Sequence, residues 1–147
     1  MDILPASLRD LGGLRRLEHA CFLQDAWPLL DLVAVLTYSD VIRLKAVNDQ
    51  KMIGFIAGDP RPFEGLAWIA TLGVLPEYRR KGVARALLLE CEGRVNQPRI
   101  RLCVRTSNQA AIRLYQGEGY LAVDTWQKYY DDGGNALVME KIRDSKT

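Results

Sequence analysis

The segment LGVLPEYRRKGVARALL, residues 72–88, constrains the fold of this chain more than any other stretch. Its apolar start predicts a strand ending at Val74, three cations at 79–81 precede Gly82, and an amphipathic helix follows. Because the first N–H groups of a helix lack an intrahelical acceptor and lie at its positive dipole end, this turn favours a phosphate anion. Gly82 lets a bulky group approach the backbone and Ala84 keeps the next contact small, which favours a pyrophosphate over a lone carboxylate.

The remaining periodicity predicts a mixed sheet with helices packed on it. The clearest β signal is a hairpin formed by 41–47 and 51–58 around Asn48-Asp49-Gln50. Further strands are predicted at Ile3–Leu4, 66–74, 99–105, 120–130 and 135–142, and helices at 7–21, 28–38, 82–96 and 107–117. This order is that of an α/β or α+β sandwich, and the length predicts a single domain over residues 1–147.

Composition and missing motifs argue against several classes of function. The formal net charge of +2 gives no protein-wide basic field for nucleic acid. One histidine and three cysteines without a CxxC pair predict no metal site and favour a reducing, cytoplasmic location. No apolar run reaches the roughly 18 residues of a spanning helix, which argues against a membrane partner. The strings GxxxxGK(S/T) and GxGxxG are missing, which argues against ATP hydrolysis and dinucleotide oxidoreduction.

Two motifs resemble those of one enzyme superfamily. Arg79-Arg80-Lys81-Gly82-Val83-Ala84 matches the Q/R-x-x-G-x-G/A loop of the GCN5-related N-acetyltransferase (GNAT) superfamily. The segment VRTSNQAAIRLYQGEGY, residues 104–120, resembles the second motif of that superfamily, in which an Asn precedes a helix carrying a Tyr. The tail WQKYYDDGGNALVMEK, residues 126–141, further resembles ribosomal-protein-alanine and related Nα-terminal acetyltransferases. The resemblance covers residues 50–141 well and implies a GNAT-like mixed, largely antiparallel central sheet flanked by helices.

The resemblance implies acetyl-CoA as the acetyl donor. The pyrophosphate of this co-substrate would lie on backbone groups of the loop and the helix start, and its pantetheine beside the strand 72–74. An N–H group of that strand would polarise the thioester carbonyl as an oxyanion donor. Asn108 would bind the cofactor arm, although it suits a helix N-cap equally well. The implied donor-binding residues are Leu72, Gly73, Val74, Arg79, Arg80, Lys81, Gly82, Val83, Ala84, Arg85 and Asn108.

The resemblance also implies that Tyr115 is the general acid that protonates the departing thiolate. With a thiol pKa of about 8.5 and a phenol pKa of about 10, this proton transfer needs only modest tuning. Without the motif, core packing would be the default interpretation of this tyrosine. Relatives have a Glu or a His as base in the preceding strand, where this chain has Cys103, a residue type that is usually inert in strands. The general base is therefore unassigned.

The acceptor is predicted to be an α-amine. An α-amino group has a pKa of about 7.7 to 8.0 and a lysine ε-amine about 10.4, so the former needs no strong base. Tyr129 and Tyr130 match a pair that lies over the peptide substrate in the Nα-acetyltransferases, and Trp27 matches the other groove wall. Adjacent strand residues face opposite sides, so at most one of the two tyrosines is expected to line the groove. Trp68 is predicted to lie in the core.

Three other functions remain open from the sequence. The acceptor is alternatively a small-molecule amine, which the tail motif disfavours only weakly. A regulatory module that binds acetyl-CoA without catalysis is consistent with Cys103 but not with Tyr115. A nucleic-acid binder has the cluster at 79–81 with Arg85 in its favour and the mild net charge against it. We expect a monomer or homodimer.

Overall fold

The computed structural model describes residues 1–22 and 28–143. Its helices are α1 (Leu11–Cys21), α2 (Leu29–Thr37), α3 (Val83–Arg94) and α4 (Gln109–Gly117). Its strands are β1 (Asp2–Pro5), β2 (Ile42–Asn48), β3 (Lys51–Arg61), β4 (Leu66–Val74), β5 (Arg99–Arg105), β6 (Leu121–Trp126) and β7 (Ala136–Ile142). None of these described helices is long and apolar enough to cross a membrane.

The described strands form one seven-stranded sheet in the order β1-β2-β3-β4-β5-β7-β6. The pairs β1–β2, β2–β3, β5–β7 and β6–β7 are antiparallel, and the pair β4–β5 is parallel. The predicted fold class, a mixed and largely antiparallel sheet with helices, is confirmed. By contact density the chain divides into two compact units, one made of Met1–Pro60 and Ala70–Val95 and the other of Arg61–Ile69 and the chain from Asn96 onward. That 1–147 is a single domain stays a prediction.

In the first unit, β2 and β3 form the predicted hairpin. Asn48 pairs with Lys51, so the turn consists of Asp49 and Gln50 alone, with φ angles of 51° and 63°. Two successive residues with positive φ are the signature of a type I′ turn, whose twist matches that of the strands it joins. Asn48, which the sequence placed in the connection, therefore belongs to β2.

Helix α3 packs closely against β3 at Gly54. A Cβ added there would stand 2.9 Å from the Leu87 side chain and 3.3 Å from that of Val83, closer than side chains normally approach. The glycine therefore determines how near α3 lies to β3. The largest fully buried side chains of this unit are those of Leu14, Leu17, Leu32, Leu44, Ile53, Phe55, Ile56, Leu87 and Leu88.

In the second unit, β7 lies between β5 and β6, and Leu66, Ala67 and Trp68 of β4 pair with the start of β5. The core includes Ile100, Leu102, Val104, Tyr120, Val138 and Met139, all of them buried. Trp68 is only half-buried, so the prediction that it lies in the core is wrong. Its ring lies 6.0 Å from that of Trp126, a residue of the edge strand β6, all of whose residues are exposed.

Candidate active site

The basic loop, residues 79–82, connects a short 3-10 turn at Pro76–Tyr78 to the first residue of α3. Gly82 is the N-cap and has a φ of 82°, a left-handed conformation that glycine adopts without a steric penalty. A Cβ on Gly82 would meet nothing within 4 Å, so backbone conformation rather than space requires glycine here. Arg80 also has a positive φ, of 62°. All four loop residues are exposed, as an anion-binding turn requires.

The cations of this loop are not equivalent. Arg79 Nε donates a hydrogen bond to the Val74 carbonyl, at 3.0 Å, which ties the loop to the end of β4. Lys81 Nζ lies 5.7 Å from the centroid of the Tyr78 ring. Arg85 is exposed in the first turn of α3, next to half-buried Ala84, whereas Val83 is buried. The Arg79 side chain therefore stabilises the conformation of the basic loop.

The end of β4 is covered by the last turn of α1. Cys21 Sγ donates to the same Val74 carbonyl at 3.2 Å. Burial raises the pKa of Cys21 against the opposing effect of Arg79, so the thiol stays protonated and able to donate. A Cβ on Gly73 would lie 3.2 Å from the Phe22 ring and 3.3 Å from Cys21 Sγ. In this structure Gly73 therefore makes room for side chains of the protein.

Tyr115 lies near the end of α4 and is buried, with 8% of its surface exposed. Its ring meets that of Tyr120 edge-on, with centroids 5.9 Å apart. Burial raises the pKa of Tyr115 to about 12, and the nearby Tyr130 adds to the effect. The phenol is therefore neutral through the whole neutral and moderately alkaline range, and its pKa departs further from the ordinary value than the modest tuning expected from the sequence.

Asn108 is the N-cap of α4. Its side-chain oxygen Oδ1 accepts a hydrogen bond from the Ala111 N–H at 3.2 Å. This bond uses only the side-chain oxygen of Asn108, and the side-chain nitrogen still has two N–H groups that can donate hydrogen bonds. The capping role is therefore compatible with the predicted contact to a cofactor arm.

The β6–β7 loop, residues 127–135, carries both tyrosines of the YY pair. Strand β6 ends at Trp126, so the prediction that Tyr129 and Tyr130 lie in a strand is wrong, and they do not alternate between its faces. Their rings instead meet at 88°, with centroids 5.0 Å apart. Tyr129 is 52% exposed and Tyr130 is half-buried. Trp27, the other predicted wall residue, lies outside the described residues.

Arg105, at the end of β5, holds this loop by side-chain contacts. Its Nη1 donates to both carboxylate oxygens of Asp132, at 3.1 and 3.2 Å. Its guanidinium carbon lies 4.2 Å from the centroid of the Tyr130 ring. The Gly134 N–H also donates to Asp132, at 2.9 Å, and these two donors lower the pKa of that carboxyl. Sequence reasoning missed Arg105, although the period of two on β5 places it on the same face as Cys103.

Cys103 lies on β5 and is half-buried. Burial raises the pKa of its thiol, which therefore stays neutral near pH 7. The pKa of Tyr129 is raised by burial and, to a smaller extent, by Cys103. Neither group is a base at neutral pH. Across residues 1–22 and 28–143, no group of three or more His, Cys, Asp or Glu side chains lies close enough to hold a metal ion.

Comparison with known proteins gives a matching family and a set of similar proteins. The model of the "Acetyltransferase (GNAT) family" matches residues 13–120. An N-alpha-acetyltransferase of Saccharolobus solfataricus is 38% identical over 77 residues, which are 50% of this chain and 46% of that protein. Acetyltransferase ECA0875 of Pectobacterium atrosepticum is 30% identical over 120 residues, 78% of this chain and 84% of that protein. The chain thus spans about half the length of the first relative and most of the second.

Solved structures share the whole fold. The ribosomal-protein-S18-alanine N-acetyltransferase of Escherichia coli superimposes with a TM-score of 0.86 at 25% identity, covering 99% of this chain and 96% of that one. Arabidopsis thaliana NAA60 in complex with acetyl-CoA gives a TM-score of 0.84 at 22% identity, with 96% and 97% covered. At that identity NAA60 supports the fold alone.

Proposed function

The chain belongs to the acetyltransferase (GNAT) family, and we propose that it transfers the acetyl group of acetyl-CoA to the α-amino group of a protein or peptide N-terminus. The observation that carries the choice of acceptor is the neutrality of the groups near the candidate acid. Tyr115, Cys103 and Tyr129 all have a raised pKa. None of these three groups is therefore a strong base near pH 7.

A site without a strong base suits an amine that is already partly neutral. An α-amine, with a pKa of about 7.7 to 8.0, has a large unprotonated fraction at pH 7 to 8. A lysine ε-amine, with a pKa of about 10.4, is almost fully protonated there and has no lone pair to attack a thioester. The named N-alpha-acetyltransferase relative supports the same choice.

The basic loop fits the pyrophosphate of acetyl-CoA. It offers the N-terminus of α3, a left-handed N-cap at Gly82 that leaves space beside the backbone, and the exposed cations Arg80, Lys81 and Arg85. The pantetheine would lie along 72–74 of β4, where one backbone N–H would act as the oxyanion donor. The Asn108 amide nitrogen would hold the cofactor arm. Acetyl-CoA itself supplies the activated acetyl thioester.

Tyr115 would act as the general acid. Its phenolic oxygen keeps its proton at every pH at which the acceptor amine is reactive, because its pKa is raised to about 12. Burial disfavours a charged thiolate for the same reason that it disfavours the phenolate, so the Tyr115 proton would pass to sulfur as the C–S bond breaks. The proton released by the attacking amine would then restore the phenol. Tyr129 and Tyr130 would line the acceptor side.

A panel of acceptors tests the proposal. We would measure acetyl-CoA consumption with short peptides of varied first residue, the same peptides blocked at the α-amine, lysine peptides, free amino acids and polyamines. Turnover of free N-termini that disappears on blocking supports the α-amine. Turnover confined to small amines would replace it with a small-molecule acetyltransferase, and coenzyme binding without any turnover would indicate a regulatory module.

A further inference from the structure

A residue outside the β6–β7 loop helps to hold its conformation. Arg105 makes a two-oxygen ion pair with Asp132 and stacks on the Tyr130 ring, so one guanidinium holds the loop at two points. A planar guanidinium is suited to this double task, since its edge donates hydrogen bonds while its face contacts an aromatic ring. Only 22% of the Arg105 side chain is exposed.

The loop is shaped around this guanidinium. A Cβ added to Gly134 would collide with Arg105 Nη1, so a side chain at 134 would displace the guanidinium from this position. Two further bonds fix the ends of the loop. The Lys128 N–H donates to Asn135 Oδ1 at 3.0 Å, and the Tyr130 N–H donates to the Gly134 carbonyl at 3.1 Å.

The ring that Arg105 holds is connected to the candidate acid. Tyr130 is close enough to Tyr115 to interact with it electrostatically. The neighbouring Tyr129 contacts both Tyr130 and Trp126, at centroid distances of 5.0 and 5.5 Å. Displacement of Tyr130 would therefore alter the surroundings of Tyr115 and the aromatic surface of the loop together.

We propose that Arg105 is a positioning residue for the acetyl transfer, because it fixes Tyr130 and Asp132 and thereby holds the β6–β7 loop in the conformation that receives the acceptor. This inference rests on the proposed function. Arg105 acts through the loop and need not touch either substrate. A purely structural role would reduce the amount of folded enzyme, whereas a positioning role changes the interaction with the acceptor specifically.

Arg101 provides a matched control. It lies on the same face of β5, is 30% exposed, and pairs with the Glu140 carboxylate at 2.5 Å, but none of its described contacts reaches the loop. Arg105→Gln is expected to raise the KM for the acceptor peptide and to lower kcat, each about 10-fold, with an unchanged KM for acetyl-CoA. Arg105→Lys is expected to have kinetic constants between those of the wild type and Arg105→Gln, since lysine keeps the charge without the planar guanidinium. Arg101→Lys is expected to match the wild type.

Limited trypsin digestion gives a readout that does not depend on activity. Lys128 is exposed within the loop, and cleavage after it requires the loop to open. Arg105→Gln is expected to accelerate this cleavage about 10-fold, while Arg101→Lys leaves it unchanged. General destabilisation would instead accelerate cleavage at many sites in parallel. If Arg105→Gln fails to fold, Gly134→Ala displaces the guanidinium without removing it and is expected to give the same pattern.

The outcomes separate the two proposals. Suppose that the wild type is active and that Arg105→Gln has the same kinetics and the same rate of cleavage after Lys128. This result would overturn the positioning role and leave the acetyltransferase proposal intact. A wild type that turns over no acceptor would overturn the proposed function and the positioning role with it. A selective rise in acceptor KM together with faster loop cleavage supports both.

Discussion

The basic loop and the β6–β7 loop acquire their conformations in opposite ways. The basic loop is determined locally, by Gly82 and Arg80 at positive φ and by Arg79 bonded to the strand five residues earlier. The β6–β7 loop depends on Arg105, which lies 27 residues before its partner Asp132. The first loop is therefore recognisable as a motif, whereas the second depends on a pair of distant residues. We propose that the basic loop binds the acetyl donor and that the β6–β7 loop binds the acceptor.

The largest expected effect tests a residue that belongs to neither loop. Tyr115→Phe should lower kcat about 100-fold or more, the usual contribution of a general acid, with little change in acetyl-CoA affinity. Steady-state kinetics and calorimetric titration of coenzyme A measure the two quantities. Equal losses in both would remove Tyr115 from the role of acid.

Gly82→Asp should weaken acetyl-CoA binding at least about 100-fold, because a carboxylate would face the pyrophosphate at the helix N-terminus and because a side chain strains the left-handed backbone of residue 82. Calorimetric titration measures the change in Kd. Gly117→Asp is the control, since Gly117 is exposed and a Cβ there meets nothing within 4 Å. If the two variants bind coenzyme equally well, the basic loop is not the donor site.

The raised pKa of Tyr115 predicts an alkaline loss of stability. The pKa of Tyr115 in the folded protein is about 12, against an ordinary 10.0. The stabilisation that the neutral phenol gives to the folded state is therefore complete below pH 10.0 and is lost as the pH rises through 12. At about pH 11.5 the wild type should have lost about 2 kcal/mol more unfolding free energy than Tyr115→Phe, relative to pH 8. Urea denaturation at both pH values measures this difference, and identical losses would contradict the buried neutral phenol.

The smallest expected effect tests the β6–β7 loop alone. Gly134→Ala should raise the KM for the acceptor about 10-fold, because the added methyl displaces Arg105, while the KM for acetyl-CoA stays unchanged. Gly12→Ala, at an exposed helical glycine with an open surrounding, should change neither KM. A rise in both KM values in Gly134→Ala would mean that the two loops are not functionally separate.

The sequence predicted most of the strands and helices because local periodicity determined them. The strand at β4, the glycine at the start of α3 and the Asn that caps α4 were all predictable, since each depends on neighbours within a few residues. The place of Tyr129 was not, because β6 ends at Trp126, after which Lys128 takes a positive φ and its N–H donates to Asn135.

Contacts between distant residues explain the other differences. The Cys21 thiol donates a hydrogen bond to the carbonyl of Val74, which lies 53 residues later in the chain, and no sequence motif predicts this contact. The apolar neighbours of Trp68 on β4 favoured a core position, yet its ring meets that of Trp126 on the exposed edge strand. Local pattern indicates that a segment is a strand, but its place in the sheet decides how much of a side chain is covered.

The glycine at position 54 has a consequence for protein engineering. Val83 and Leu87, which a methyl group at 54 would push away, lie in the first two turns of α3, directly after the basic loop. The segment made of the basic loop and α3 therefore cannot be transferred to another protein by itself. A designer who grafts it into another sheet would have to supply a glycine on the neighbouring strand as well, or the helix would stand too far out to carry the loop in its native orientation.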